Sequence, residues 1–119
     1  MGEIIITRDH APAVEEDWGS LTWYTSAEMG NSEDLTVGKC VLKPGCRNPG
    51  HHHPNCSEVL TVMKGRIRHT GPGGEMIEMG IGDTVTIPVG MAHYAVNIGD
   101  EDAELFICFS SADRRVVGE

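Results

Sequence analysis

The sequence predicts an all-β domain of many short antiparallel strands, arranged as a sandwich or a barrel. Fifteen Gly and six Pro punctuate its 119 residues. Between them lie short runs rich in Val, Ile, Leu, Thr and Tyr, which is typical of strands joined by turns. The length suits one domain, so we expect a single unit over residues 1–119 with a core barrel at about 20–110.

The hydrophobic runs place the individual strands in chain order. We predict them at about 3–7, 20–25, 34–43, 48–53, 57–63, 66–70, 75–79, 83–87, 92–97 and 103–110. Residues 26–31 are expected to form a loop or one helical turn. Residues 71–74, Gly-Pro-Gly-Gly, are expected to form a hairpin turn, because Gly supplies the positive φ that such turns need. Residues 112–119 offer little to bury, so they should either wrap the surface or fray.

Charge and cysteine usage exclude several classes of function. The net charge is −9, which argues against nucleic acid or an anionic membrane as a partner. No apolar run approaches membrane-spanning length, and the N-terminal residues do not resemble a signal peptide. Four Cys without a short paired spacing disfavour both a disulfide framework and a thiolate zinc site. We therefore expect reduced thiols and a cytoplasmic protein.

Three consecutive histidines provide the strongest functional signal in the sequence. On a strand, alternate side chains share a face, so His51 and His53 point together and His52 points away. After a short turn the next apolar strand opens with Glu58, which a hairpin would carry back beside the two imidazoles. Two imidazoles and a carboxylate suit Fe(II), Mn(II) or a similar ion. An exposed polar turn is the alternative, but it would not place Glu58 at the head of an apolar strand.

Two sequence blocks resemble the two motifs of the cupin family. Residues 45–65, GCRNPGHHHPNCSEVLTVMKG, match the first motif at Gly45, His51, His53, Glu58 and Gly65. Residues 82–97, GDTVTIPVGMAHYAVN, match the second motif, whose fixed positions here are Gly82, Pro88, Gly90, His93 and Asn97. The HHHP-x-x-x-E segment looks like the metal site of germins and oxalate decarboxylases.

The resemblance implies both a fold and a cofactor. The fold is a cupin double-stranded β-helix, or jelly-roll, barrel of antiparallel strands. The cofactor is one divalent transition metal ion held by His51, His53, Glu58 and His93. Fe or Mn is the expected ion, and Ni, Zn, Cu and Co are the alternatives.

The residues around the metal are less well defined by the sequence. If Glu58 faces the interior, period-two alternation turns Leu60 and Val62 inward as well. On the last strand either Phe106 and Cys108 or Ile107 and Phe109 face inward, because a bulge would change the parity. Three residues are candidates for catalysis. Glu58 could act as a base, His69 as an acid or base, and Arg47 as a clamp for a substrate carboxylate. The alternatives are a solvent-facing Arg47 and a structural His69.

Two functional hypotheses remain open at this point. The first is a metal-dependent enzyme for a small organic metabolite, expected to bear a carboxylate, that uses dioxygenase, decarboxylase, lyase or isomerase chemistry. The second is a non-catalytic module that contains metal and binds a small ligand. The outward strand faces carry Val, Met and Ile, so we expect a homodimer, formed through one sheet or through strand exchange at the N-terminus.

Overall fold

A computed structural model describes residues 2–119, and its regular secondary structure is almost all strand. A short 3-10 helix covers Arg8–His10. The strands are β1 Ala13–Glu16, β2 Gly19–Thr25, β3 Thr36–Leu42, β4 His51–His52, β5 Glu58–Lys64, β6 Ile67–Thr70, β7 Met76–Met79, β8 Thr84–Ile87, β9 Ala95–Asn97, β10 Ala103–Phe109 and β11 Val117–Gly118. The part of the chain that the structure describes holds no helix with the length and apolarity needed to span a bilayer.

All strand pairs are antiparallel, as the sequence predicts. A six-stranded sheet has the order β1-β2-β3-β10-β5-β8, and a three-stranded sheet has the order β7-β6-β9. A two-stranded ribbon joins β11 to β4. Non-consecutive neighbours such as β3, β10 and β5 are typical of a jelly-roll, and the predicted fold class is confirmed.

Side chains on the inner faces of the sheets form one core. The burial of β3 and β10 alternates residue by residue, so one face of each strand is covered and the other is partly exposed. On β5, Leu60 and Val62 are buried with Glu58, whereas Val59 and Met63 are exposed, as the sequence predicts. This alternation carries Glu58 into the interior in line with the apolar residues.

The last strand settles a question that the sequence left open. Ile107 and Phe109 are buried, whereas Phe106 is exposed. Ile107 pairs with Leu60 and Phe109 pairs with Glu58, so these two side chains stand beside the inner face of β5. The register shifts between Glu104 and Leu105 near the start of the strand.

The N-terminal segment differs from the prediction, and two short strands form that were not predicted. No strand forms at residues 3–7, where Ile4 and Ile5 are 83% and 75% exposed. Their β-branched side chains favour a strand, but this segment pairs with no neighbouring strand, and β1 instead forms the sheet edge beside β2. The short strands at 13–16 and 117–118 were not predicted. Residues 13–16, Ala-Val-Glu-Glu, have little apolar character, and residues 117–118 pair with β4, which is distant in sequence.

The predicted strands at 48–53 and 92–97 shorten to 51–52 and 95–97. Pro49 has no N–H to give to a ladder, so the segments around it are joined by isolated bridges, Arg47 with Val96 and His51 with His93, and by hydrogen bonds between Asn48 and Ala95. Residues 26–31 form a turn, closed by Gly30 N–H donating to the Ala27 carbonyl. Residues 71–74 form the predicted hairpin turn between β6 and β7, and Gly74 has a φ of 86°.

Replacement of Gly19 by alanine should destabilise the fold by about 3 kcal/mol, the upper part of the range for overpacked sites. An added Cβ would lie 1.8 Å from the backbone carbonyl oxygen of Val41, and backbone cannot move aside cheaply. Gly118→Ala is the matched control, since its Cβ would meet nothing within 4 Å. Urea unfolding of the two variants measures the difference, and equal midpoints would contradict the close approach of β2 to β3.

Candidate metal centre

Four polar side chains converge inside the barrel from three separate segments. His51 lies on β4 and His53 follows it, Glu58 is the first residue of β5, and His93 precedes β9. His51 and His93 exchange backbone hydrogen bonds of 3.1 and 2.8 Å, which brings the first and last of these segments together. One donor atom of each residue lies within 4.8 Å of all the others. The four predicted ligands are therefore assembled.

The centre of this cluster is the Glu58 carboxylate. Its Oε1 lies 3.2 Å from His53 Nε2 and 3.4 Å from His93 Nε2. The ring centroids of His51 and His93 are 4.3 Å apart, so the third imidazole closes the group. His53, Glu58 and His93 are each less than 5% exposed, and His51 is half-buried.

Hydrogen bonds fix the tautomer of each histidine. His51 Nδ1 lies 2.8 Å from the Pro49 carbonyl, and His53 Nδ1 lies 2.8 Å from the Arg115 carbonyl. A carbonyl can only accept, so the proton of each ring is on Nδ1. The Nε2 atoms that point into the cluster therefore carry lone pairs, which is the state that a metal ligand requires.

His93 is oriented by a second imidazole. His69 Nδ1 donates to the Thr70 carbonyl over 2.8 Å, which leaves His69 Nε2 as an acceptor. His93 Nδ1 donates to that atom over 3.2 Å, so His93 Nε2 is also a bare lone pair. Burial, followed by the neighbouring imidazoles of His51, His69 and His53, lowers the pKa of His93 to about 3. Burial likewise lowers the pKa values of His51 and His69.

Three buried polar atoms have no hydrogen-bond partner among residues 2–119. They are His53 Nε2, Glu58 Oε1 and His93 Nε2, all in this cluster. An unsatisfied buried polar atom costs about 1–3 kcal/mol, so three at one point need a common partner. A divalent cation is such a partner, because all three atoms are electron-pair donors. Imidazole nitrogens with one carboxylate oxygen fit a transition metal ion. The residues present therefore form a metal-binding site.

Residues 38–109 match the family described as "Cupin domain". The chain belongs to the cupin family.

Among its relatives, this cupin is 33% identical to germin-like protein 3-8 of Oryza sativa subsp. japonica over 85 residues, which are 68% of this chain and 38% of the relative. It is 28% identical to oxalate oxidase GF-2.8 of Triticum aestivum over 94 residues, 73% of this chain and 42% of the relative. A structure of Bacillus subtilis oxalate decarboxylase, a protein with Mn(II) centres, superposes with a TM-score of 0.78 and 26% identity. That match covers 88% of this chain and 29% of the decarboxylase chain. The cupin thus spans about two fifths of the length of the rice and wheat relatives.

Two residues named from the sequence lie away from the centre. His52 is directed to the opposite side of β4, as predicted, where its Nδ1 lies 3.2 Å from Glu119 Oε1. Arg47 is exposed, and its guanidinium carbon stacks 4.3 Å above the centroid of the Tyr94 ring. Arg47 does not line the metal cavity.

The metal centre of this cupin opens onto a cavity of about 340 Å³. Most of its other walls are apolar, and both tryptophans of the chain contribute to them. The apolar wall consists of Trp18, Leu21, Trp23, Cys40, Leu60, Ala95, Leu105, Ile107, Phe109 and Val116. Asn48 and Arg114 add polar groups. The sequence pattern did not single out Arg114, which follows the last long strand and belongs to no motif.

Arg114 reaches the cavity on a segment that we call the strap, residues 111–118. The strap is clamped by Asn55, whose Nδ2 donates to the Asp113 carbonyl and whose Oδ1 accepts from Arg115 N–H, both over 2.9 Å. Beyond that clamp, β11 pairs with β4 and so lies directly beside the metal-binding histidines. The C-terminal residues therefore wrap the surface, one of the two outcomes that the sequence left open.

Replacement of His69 by leucine should lower metal affinity by about 10- to 100-fold, the usual effect of removing a group that orients a ligand. Leucine leaves His93 Nδ1 without its acceptor, so the tautomer with a bare Nε2 is no longer favoured. His69→Gln should restore part of the affinity, because an amide oxygen can accept the same proton. Titration against a chelator measures the effect, with the exposed His10→Leu as control. Equal affinities for His69→Leu and His10→Leu would contradict this role.

Proposed function

We propose that this cupin is a metal-dependent enzyme that acts on a small carboxylate-bearing metabolite. The observation that carries the proposal is the convergence of three unsatisfied buried donor atoms at the wall of an apolar cavity of about 340 Å³. Cavities of about 300 Å³ or more are of the size that encloses small ligands. The substrate of the wheat relative, oxalate, and its oxidation by that enzyme support a carboxylate and redox chemistry.

For the resident ion we propose Mn(II), with Fe(II) as the second choice. The donor set is compatible with both ions, and the Mn(II) centres of the similar decarboxylase favour the first. His51, His53, Glu58 and His93 would hold it. When bound, the ion supplies Lewis-acid or one-electron redox chemistry at the cavity wall.

The protein itself contributes orientation and a dry environment. The apolar wall excludes water, which strengthens the electrostatic interactions of any charged group bound there. Both ring nitrogens of His69 are engaged in hydrogen bonds, so we assign it to positioning His93 rather than to the acid–base role considered from the sequence. Burial raises the pKa of the Cys40 thiol to about 12, which keeps it protonated and unreactive. Glu58 remains the candidate base within the centre.

The second candidate function is ligand binding without turnover. It is favoured by one feature of the cavity: the acid–base groups of the centre already serve as ligands or hydrogen-bond to one. Fold alone does not decide between the two, since cupins carry several chemistries and fold does not select among them.

The discriminating experiment uses metal-free protein reconstituted separately with Mn(II) and with Fe(II). A panel of small carboxylates is incubated with each form while oxygen consumption and acid loss are followed. The proposal expects loss of at least one acid with the loaded protein and none with metal-free protein or with His53→Ala. Saturable binding with no loss of any acid in either loaded form would favour the binding module instead.

We also propose that the protein is a homodimer. On the outer face of the large sheet, Val59, Met63 and Phe106 are 41%, 60% and 43% exposed. Phe106 pairs with Thr61, between Val59 and Met63, so these side chains form one apolar patch that a second copy would cover. Light scattering at micromolar concentration tests the proposal, and a mass of one chain, 12.9 kDa, would contradict it.

A further inference from the structure

The guanidinium of Arg114 stands in the wall of the metal cavity without an anionic partner. It stacks on two aromatic rings, with its central carbon 4.2 Å from the ring centroid of Trp23 and 5.2 Å from that of Phe109. Within residues 2–119, none of the ion pairs includes Arg114, and no carboxylate oxygen lies within 4.0 Å of its guanidinium nitrogens. The stack fixes the guanidinium but leaves its edge N–H donors available.

An unpaired cation in this position is unusual for a chain with a net charge of −9. Burial lowers the pKa of Arg114, with Glu58 and Cys56 acting in the opposite direction, and the group is only partly exposed. A partly desolvated charge is stabilised by an ion of opposite sign, and a planar guanidinium is matched best by a carboxylate that accepts two parallel hydrogen bonds. A small carboxylate ligand would supply such a partner.

The guanidinium is also accessible to a ligand from solvent and close to the metal centre. Arg114, Trp23 and Val116 line both the metal cavity and a neighbouring groove on the outside of the barrel. Arg114 lines the same cavity as the two ligands His51 and Glu58. A carboxylate held by this residue would place the rest of the molecule inside the cavity.

The remaining walls indicate what the rest of the ligand must be. Around the metal centre they consist mainly of indole, phenyl and aliphatic side chains, including those of Trp18, Leu21, Leu105 and Ile107. Such walls stabilise buried apolar carbon and disfavour a second charge. Oxalate carries two carboxylates and no apolar carbon, so it matches only the guanidinium and the metal.

We propose that Arg114 is the carboxylate-binding residue of this cavity, and that the cavity takes monocarboxylates with an apolar body in preference to oxalate. The proposal rests on the proposed function for the choice of cavity, but it concerns binding and not turnover. It also explains why the strap is clamped at Asn55: the two hydrogen bonds on either side of residue 114 hold the guanidinium over the rings.

The test uses intrinsic fluorescence, because both tryptophans of the chain, Trp18 and Trp23, line the cavity. The Mn(II)-loaded protein is titrated with 4-methylpentanoate, with its neutral analogue 4-methylpentanamide, and with oxalate. We expect the carboxylate to bind at least about 10-fold more tightly than the amide, as hydrogen bonds to charged groups imply. Oxalate should bind more weakly than 4-methylpentanoate.

Substitutions then assign the preference to one residue. Arg114→Gln should bind the carboxylate and the amide equally, whereas Arg8→Gln, an exposed arginine far along the chain, should keep the full preference. If Arg114→Gln binds neither probe, Arg114→Lys replaces it, and a reduced preference is expected there because the fork geometry is lost. The readout is a ratio measured on one variant, so a general loss of folding cannot imitate it.

Two results would overturn the proposal. An unchanged preference in the Arg114 variants would mean that the carboxylate binds the metal alone. Tighter binding of oxalate than of 4-methylpentanoate to the unaltered protein would exclude the apolar body. Failure of the proposed enzymatic function is distinguishable from both, since it would appear as intact binding of 4-methylpentanoate with no loss of any acid.

Discussion

Replacement of His53 by alanine is expected to lower the affinity for Mn(II) by more than about 100-fold, beyond the effect typical of groups that only orient a ligand. The variant loses one of the four convergent donor atoms, and the adjacent imidazole cannot replace it because His52 points to Glu119 on the other side of the strand. Competition with a fluorescent chelator measures the affinity. The double variant His51→Ala, His53→Ala should retain no stoichiometric metal by mass spectrometry.

The control for this prediction is one residue away. His52→Ala removes an imidazole from the same short strand but leaves the four donor atoms in place, so its affinity should equal that of the unaltered chain. An equal loss in His52→Ala and His53→Ala would show that the strand as a whole, and not its inward face, matters. Full metal retention by the double variant would exclude these two histidines as ligands.

Replacement of Glu58 by glutamine is expected to change stability in opposite directions with and without metal. In the metal-free protein the carboxylate is buried beside the bare nitrogens of His53 and His93, with Oε1 unsatisfied. A glutamine amide can donate to one of those nitrogens, so the metal-free variant should be more stable by about 1–3 kcal/mol. The same change removes the anionic ligand, so saturating Mn(II) should stabilise the variant much less than the unaltered protein.

Urea unfolding with and without Mn(II) measures both halves of this prediction. Glu104→Gln is a suitable control, since that carboxylate lies on the outer face of β10 near Lys39 and Lys64 and should affect neither value by more than about 0.5 kcal/mol. A metal-free Glu58→Gln protein that is less stable than the unaltered chain would contradict the idea that the buried carboxylate destabilises the fold when no metal is bound.

The inward set of ligands could be predicted because it depends on local periodicity. His51 and His53 share a face by the two-residue period of a strand, and Glu58 follows at the head of an apolar strand whose alternation also places Leu60 and Val62. The bridge from His51 to His93 is a distant contact, which only the resemblance to a family anticipated. The fold class and the metal group were therefore accessible from the sequence.

Features that depend on tertiary contacts could not be predicted from the sequence. Both faces of β10 carry apolar side chains near its end, and only the pairing of Ile107 with Leu60 and of Phe109 with Glu58 decides which face is inward. Arg114 enters the cavity because Asn55, 58 residues before Asp113, clamps the strap from a different hairpin. Arg47, by contrast, is near the ligands in sequence but is exposed and stacks on Tyr94, and it does not line the cavity. Closeness in sequence to the ligands therefore does not determine which arginine lines the cavity.

The most direct test of the metal centre is a crystal structure of the protein grown with excess Mn(II), with diffraction data collected at the manganese absorption edge. One anomalous peak per chain is expected, enclosed by Nε2 of His51, His53 and His93 and by the carboxylate of Glu58. A peak bound elsewhere, or no peak inside the barrel at saturating Mn(II), would contradict the account.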